Sequence, residues 1–193
     1  NSFSLGTKFE QYKGVFLSPK ISASYEDIST DDTASTAMKK MDGTYGSFDF
    51  GYGVTIDRRN QPFMPTEGYR TKFFQQLPII SDSSAIINSL DYSRYRLFTE
   101  DVIGSFKFFG SVINSISGDD VRLTERFYLP SRRLRGFEKG KVGPKDGDDH
   151  IGGNYAAGIG FEAALPNLLP EDSRTDISLF LDTANLWGVD YDE

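Results

Sequence analysis

The stretch TYGSFDFGYGVTID, residues 44–57, alternates between two kinds of side chain. Its large apolar residues fall on one set of alternate positions: Phe48, Phe50, Tyr52, Val54 and Ile56. The positions between them carry mostly small or polar residues: Tyr45, Ser47, Asp49, Gly51, Gly53, Thr55 and Asp57. A period of two is typical of a β-strand, whose successive side chains point to opposite faces. The stretch exceeds the roughly 9–11 residues that a tilted strand needs to cross a bilayer, whereas strands of soluble proteins average about 5–6.

The same alternation recurs along the chain. It is clear in 14–26, 153–165 and 176–187, and less regular in 3–12, 67–79, 85–98 and 101–115. In the last two segments charged and apolar residues share a face, Arg94 with Leu90 and Lys107 with Phe109. The sequence therefore predicts an all-β fold of about eight consecutive antiparallel strands, without a helix.

Charged residues at mid-strand positions fit two architectures. A soluble β-sandwich places them in water, and a membrane barrel places them in its wet lumen with the apolar face in lipid. The strand lengths favour the barrel. The connections also favour it, because 12–14 and 98–101 are tight whereas 29–43 and 116–152 are long and polar. No run of about 18 apolar residues occurs, so we expect no transmembrane helix.

The composition argues against several kinds of functional site and partner. The chain has 193 residues, a net charge of -7 and no Cys. We therefore expect one domain, 1–193, with no disulfide, Cys-based metal site or thiol nucleophile. An acidic chain is a poor partner for nucleic acid, which needs a clustered basic face. Because Asn1 leads almost directly into a strand pattern with no Met or signal peptide, we interpret the chain as part of a longer protein.

Segment 116–152 is long for a connection inside a compact fold, and such loops are usually functional or disordered. Its apolar islands, such as 127–130, argue against disorder. A loop that folds into a polar lumen could dock an arginine on inward carboxylates, because arginine matches carboxylates with two hydrogen bonds. Alternation places Glu162 and Asp182 on the inward face of the next two strands.

Several motifs occur in a fixed order around this loop. They are FY at 127–128, LRGF at 134–137, VGPK at 142–145, GGN at 152–154, GFEAALP at 160–166 and LFLDTANLW at 179–187. Upstream, 46–57 is followed by DRR at 57–59 and FMPTEG at 63–68. This series resembles the barrel of the BamA-type family of outer-membrane protein assembly factors in the Omp85 superfamily. The resemblance covers most of 44–190, and 1–43 match only as generic barrel strands.

The resemblance implies roles for individual residues. Segment 116–152 corresponds to a loop that tucks into the lumen, with Arg135 as the motif arginine, Gly136 as a glycine that permits close approach and Phe137 as the motif aromatic. Glu162 and Asp182 correspond to the acidic seat of that arginine. The loop is supported at Gly143, Pro144, Gly152 and Gly153. The segment between Pro144 and Gly152 is short, so extra loop substructure of longer members is not expected.

The resemblance also implies a function. The whole protein would fold and insert β-barrel proteins into the bacterial outer membrane, without enzymatic chemistry or a cofactor. Its partners would be outer-membrane lipids, unfolded outer-membrane β-barrel proteins and accessory assembly lipoproteins, but no nucleic acid. The eight strands correspond to the middle of a barrel of about sixteen. The closing strands, where substrates engage in the family, and the periplasmic POTRA domains would lie outside these residues.

Three alternatives remain open from the sequence: a related two-partner secretion or TamA-type transporter, a passive porin, and a soluble β-sandwich that binds a partner. Other residue clusters have a simpler explanation than a site. Asp146, Asp148 and Asp149 suit a solvated loop tip better than a calcium loop, and His150 has no companion ligand. Glu162 and Asp182 suit an arginine seat better than a glycosidase acid pair. Trp187 and Tyr191 suit an aromatic girdle at the membrane interface.

Overall fold

The computed structural model describes residues 1–82, 84–118, 120–170 and 175–189. One antiparallel sheet fills eight strand positions, and the first position is shared by two short strands. In chain order the strands of this sheet are β1 (Ser2–Gly6), β2 (Phe9–Tyr12), β3 (Val15–Ile28), β4 (Gly43–Asp57), β5 (Gly68–Ser81), β6 (Ala85–Thr99), β7 (Val102–Ser115), β10 (Tyr155–Leu165) and β11 (Ile177–Trp187). A small separate hairpin is formed by β8 (Lys145–Asp146) and β9 (Asp149–His150). The predicted all-β, partial-barrel fold is confirmed.

The first strand position is interrupted because of a proline on its neighbour. β1 and β2 both pair with β3, and the gap between them lies opposite Pro19. The Thr7 N–H donates to the Pro19 carbonyl at 3.1 Å. Proline has no N–H to donate in return, so the ladder loses a bond and the predicted continuous strand 3–12 divides in two.

The pairing register assigns side chains to two faces, since residues directly opposite each other share a face. On the outer face many large apolar side chains are solvent-accessible, among them Phe3 (69%), Leu5 (62%), Leu179 (67%) and Leu181 (69%). The inner face is covered by the segment between β7 and β10. An exposed apolar face around a polar interior is the arrangement of a membrane barrel.

Segment 116–152, which covers the inner face, takes part in two buried hydrophobic clusters. Leu129 lies with Phe109, Ala156 and Leu186 of the wall in one buried cluster. Leu123 and Ile151 form a second cluster, in contact with Met38, Met41 and Val189. Segment 116–152 thus lies against the inner wall.

The connections differ from the expected pattern in two respects. A single helical turn, α1 (Thr36–Lys39), lies in the loop after β3, where no helix was expected. The Ser35 side chain accepts a bond from the Met38 N–H at 3.4 Å, which caps this turn. The asymmetry of loop lengths is also incomplete, because 82–84 is a short connection at the long-loop end, whereas 58–67 is a longer one at the tight-turn end. No helix among the described residues has the length and apolar character to cross a membrane.

Candidate functional site

Arg135 lies between two carboxylates of the inner wall. Its Nε and Nη2 donate to Oδ2 and Oδ1 of Asp182 at 2.7 and 2.8 Å, and its Nη1 donates to Oε2 of Glu162 at 2.8 Å. The Arg135 backbone N–H also donates to Oδ2 of Asp182, at 3.2 Å. The hydrogen bonds to Asp182 raise the pKa of the Arg135 guanidinium above its ordinary value. The side chain is therefore a permanent cation at this position.

A lysine completes the cluster. Lys107 on β7 donates to the same Glu162 oxygen at 3.1 Å. Two cations and two anions therefore balance, and the Asp182 side chain is only 7% exposed. Burial of Asp182 is tolerated because an opposite charge and several donors replace its hydration. We call Arg135, Lys107, Glu162 and Asp182 the loop lock.

Two further residues shape the lock, and the sequence interpretation missed both. The ring of Phe180 lies under the Arg135 guanidinium, with 3.7 Å between the guanidinium carbon and the ring centroid. Alternation could have found Phe180, because it lies two residues from Asp182. A Cβ at Gly160 would fall 2.8 Å from Oδ1 of Asp182, so glycine leaves room for this carboxylate. Gly160 lies opposite Asp182 in the β10–β11 pairing, a register that the sequence does not reveal.

The expected role of Gly136 is wrong in its mechanism. Glycine there was expected to permit close approach, but a Cβ at Gly136 would meet nothing within 4 Å. Its φ of +87° is the physical reason for glycine, because side-chain-bearing residues rarely adopt this conformation. Phe137, the motif aromatic, is 57% exposed and belongs to neither buried cluster.

The four expected support residues lie at the base of the loop. A Cβ at Gly143 would fall 2.7 Å from Cδ2 of Leu186, so the loop backbone lies directly on β11 there. The Pro144 carbonyl accepts from the Ile151 N–H at 3.1 Å. Gly153 exchanges two backbone hydrogen bonds with Phe127, at 2.9 and 3.1 Å. Gly152 has a φ of +69°, and a Cβ there would fall 2.9 Å from the Phe127 carbonyl oxygen.

Two more arginines attach the same loop to other strands. Arg133 forms an ion pair with Asp91 on β6, and its guanidinium lies over the Phe109 ring at 4.6 Å. Arg122 pairs with Glu26 on β3 at 3.3 Å and with Glu125 at 2.7 Å, and its side chain is only 4% exposed. Both interactions were missed, since they depend on the path of the loop.

The Arg122 guanidinium also lies 4.7 Å from the centroid of the Tyr45 ring on β4. The loop is therefore attached to the wall at three places: β3–β4, β6 and β10–β11.

Two other residues that the sequence singled out, Asp149 and Trp187, contact neighbouring residues in the structure. Asp149 accepts a bond from the Ser35 N–H at 3.3 Å, which links the β8–β9 hairpin to the loop before α1. In the part of the chain that the structure describes, no group of three or more acidic, His or Cys residues is arranged to hold a metal. Trp187 is 44% exposed on the outer face and stacks on Tyr155 at 6.0 Å. Its expected companion Tyr191 lies outside the described residues.

Comparison with known proteins decides the family. The model of the Omp85 superfamily domain matches residues 1–193. The chain belongs to the Omp85 superfamily. Two curated relatives of this Omp85 chain are the human sorting and assembly machinery component 50 homolog and the outer membrane protein assembly factor BamA of Neisseria meningitidis serogroup B. The human protein is 27% identical in an alignment 169 positions long, which covers 83% of this chain and 36% of the relative.

The Neisseria protein is 29% identical in an alignment 174 positions long, which covers 80% of this chain and 21% of that relative. The Omp85 chain thus spans about a third or less of the length of these two proteins. A crystal structure of BamA from Haemophilus ducreyi lacking POTRA domains 1–3 has a similar fold. Its TM-score is 0.80 at 20% identity, over 97% of this chain and 41% of that one.

Proposed function

We propose that this chain is part of the wall of an outer-membrane β-barrel that folds and inserts other β-barrel proteins into its membrane. The observation that carries the proposal is the loop lock, which fixes an LRGF loop on the inner face of an Omp85 barrel wall. The names of the two curated relatives, an assembly factor and a component of an assembly machinery, support it.

The finer parts of the proposal concern place and partners. We propose the bacterial outer membrane, on the similarity to the Neisseria protein. The partners would be unfolded β-barrel proteins and accessory assembly lipoproteins. The protein would work as an assembly factor without a cofactor and not as an enzyme. The charged groups of the lock support this, because they bind one another.

The lock suggests what the loop contributes to such a machine. Glu162 belongs to β10 and Asp182 to β11, and Arg135 bonds to both. A single guanidinium therefore joins two neighbouring strands from the lumen side and adds to their backbone ladder. We propose that this connection keeps the wall in register while other parts of the barrel open to substrates.

Reconstitution tests the proposal. The full-length protein, placed in phospholipid vesicles with any lipoproteins that copurify, should accelerate folding of an added urea-denatured β-barrel protein. Folding is measured by the heat-dependent shift in electrophoretic mobility of the substrate. Arg135→Ala should slow this folding several-fold, whereas Lys139→Ala, which alters an exposed side chain of the same loop, should not.

Three outcomes would overturn the proposal. One is a properly folded wild-type protein that does not accelerate substrate folding beyond protein-free vesicles. Another is equal rates for wild type and Arg135→Ala. The third is ion conductance with defined selectivity in the absence of any insertion activity, which would instead identify a porin.

A further inference from the structure

The outer face carries two arginines, Arg94 and Arg96, among side chains that are mostly apolar or uncharged. Arg94 and Arg96 on β6 lie opposite Phe106 and Gly104 of β7, and these positions belong to the outer face. Both arginines are exposed, and no carboxylate of the described residues forms an ion pair with either. On the outer positions of the described strands the other charged residue is Asp27, which lies at the opposite end of the sheet.

The position of the arginines along the strand matters. Arg94 stands five residues and Arg96 three residues before Thr99, the last residue of β6 before the turn into β7. This places them near the tight-turn end of the wall, within reach of one membrane interface. A long cationic side chain close to an interface extends its charged end to the headgroups while its stem stays among apolar groups.

An apolar groove of about 590 Å³ begins at these arginines and crosses the outer face toward the β11 edge. Small residues form part of its surface, since Gly104 and Ala163 lie opposite each other in the β7–β10 pairing. The Arg96 guanidinium lies 5.8 Å from the centroid of the Phe98 ring, which packs on Gly104. The large apolar residues that line the groove from the outer face are Phe98, Phe106, Phe161, Leu179 and Leu181.

The acidic residue that lines this groove is already neutralised. Glu162 contributes to the groove lining, but its carboxylate is bound to Lys107 and Arg135 on the inner side. The turn after β6 carries two further carboxylates, Glu100 and Asp101, neither of which lines the groove, and Asp101 accepts a bond from Asn167 at 2.8 Å. The groove therefore combines an apolar channel with two positive charges at one end. A phospholipid has the matching arrangement, because its phosphate is joined through glycerol to apolar acyl chains.

We propose that Arg94, Arg96 and this groove bind one anionic phospholipid from the leaflet at the tight-turn end of the barrel. The guanidinium groups would hold the lipid phosphate, since arginine binds phosphate through paired N–H donors. One acyl chain would lie along Phe106, Phe161 and Leu181. The site rests on the outer face being in contact with lipid, and it does not depend on the insertion activity proposed above.

Native mass spectrometry of the full-length protein tests the site. The protein is released from vesicles of phosphatidylcholine containing phosphatidylglycerol, and retained lipids are counted. Wild type should retain one phosphatidylglycerol more than the double variant Arg94→Gln/Arg96→Gln. In the double variant the fraction of protein that carries this lipid should fall about tenfold. The control Lys139→Gln/Lys141→Gln removes two positive charges from the exposed loop and should retain the lipid.

A groove-filling variant covers the case in which the double variant does not fold. Ala163→Phe keeps both arginines and places a ring in the groove, so it should also lose the phosphatidylglycerol. Equal retention by wild type, the double variant and Ala163→Phe would overturn the proposal. Complete displacement of the lipid by millimolar inorganic phosphate would overturn it as well, because the site would then be a simple anion site.

A protein adduct in place of the lipid would assign the groove to a partner chain and would also contradict the proposal. Loss of the lipid with unchanged substrate folding would support the lipid site and leave the proposed insertion function standing. Loss of lipid retention and of substrate folding in the control Lys139→Gln/Lys141→Gln would instead point to a general effect of charge and would contradict the proposal.

Discussion

Arg135 and Asp182 meet through two parallel hydrogen bonds, from Nε to Oδ2 at 2.7 Å and from Nη2 to Oδ1 at 2.8 Å. They are 47 residues apart in the chain, and the Asp182 side chain is almost fully buried. A two-point contact fixes the angle of the guanidinium as well as its position. It therefore fixes the loop tip in one orientation on the wall.

Replacement of Arg135 by lysine should separate charge from geometry. Arg135→Lys keeps a cation but cannot make the paired contact, so the free energy of unfolding of the full-length barrel should fall by about 1–3 kcal/mol. Arg135→Ala leaves a buried carboxylate without its partner and should cost about 3–5 kcal/mol. Urea unfolding in lipid vesicles measures both values. A lysine variant as stable as wild type would show that charge alone holds the loop.

The two carboxylates should not be equivalent. Asp182 accepts three hydrogen bonds from Arg135, whereas Glu162 accepts one and also binds Lys107. Asp182→Asn should therefore release the loop more than Glu162→Gln. Limited proteolysis within 132–141 of the folded full-length protein measures this release. Faster cleavage in Glu162→Gln than in Asp182→Asn would reverse the assigned order.

The two glycines of the site should respond to substitution for different reasons. Gly136→Ala forces a side-chain-bearing residue into a φ of +87° and should cost about 1–2 kcal/mol in the free energy of unfolding. Gly136→Asn should recover part of this loss, because asparagine tolerates the left-handed region. Similar stabilities for the Ala and Asn variants would contradict the conformational explanation.

Gly160→Ala should instead act on the carboxylate. The added methyl group would lie 2.8 Å from Oδ1 of Asp182 and displace it. The variant should therefore expose the loop to protease as Asp182→Asn does, even though its own backbone needs no unusual conformation. Combining Gly160→Ala with Asp182→Asn should add little, because both act on one contact. Fully additive effects would rule out the shared mechanism.

Arg122 should anchor the beginning of the loop independently. Arg122→Met removes the pairs with Glu26 and Glu125 and should lower the free energy of unfolding by about 2 kcal/mol. Its effect should add to that of Arg135→Ala, since the two attachments use different strands. Arg132→Met, at an exposed position of the same loop, is the matched control. An unchanged stability in Arg122→Met would argue against a second anchor.

Local pattern in the sequence was sufficient for the strands and for two residues of the lock. Alternation gave the inward face of Glu162 and Asp182 because each strand keeps its period of two through these residues. The same logic was weaker for 85–98 and 101–115. There Arg94 and Arg96 face outward while Lys107 faces inward to Glu162, so polarity does not separate the two faces.

The remaining features depend on relations between distant segments. The break opposite Pro19 needs the register of β1 and β2 on β3, and the role of Gly160 needs the register of β10 on β11. Arg122 and Arg133 find their partners only through the path of a long loop. The sequence carries a signal for α1 in Ser35 and the residues after it, but one helical turn is too short to produce a periodic pattern.

The three arginine attachments have a mechanical consequence. Arg122 binds near the first strands of the sheet, Arg133 at its middle and Arg135 near its last strands. The loop segment from Arg122 to Arg135 therefore connects distant strands across the inside of the curved wall. Its length limits how far the wall can flatten. Any widening of this part of the barrel would first have to stretch or break these ion pairs. The loop would thereby limit the radius of this part of the wall. Bending of the barrel would then occur at strands to which the loop is not attached.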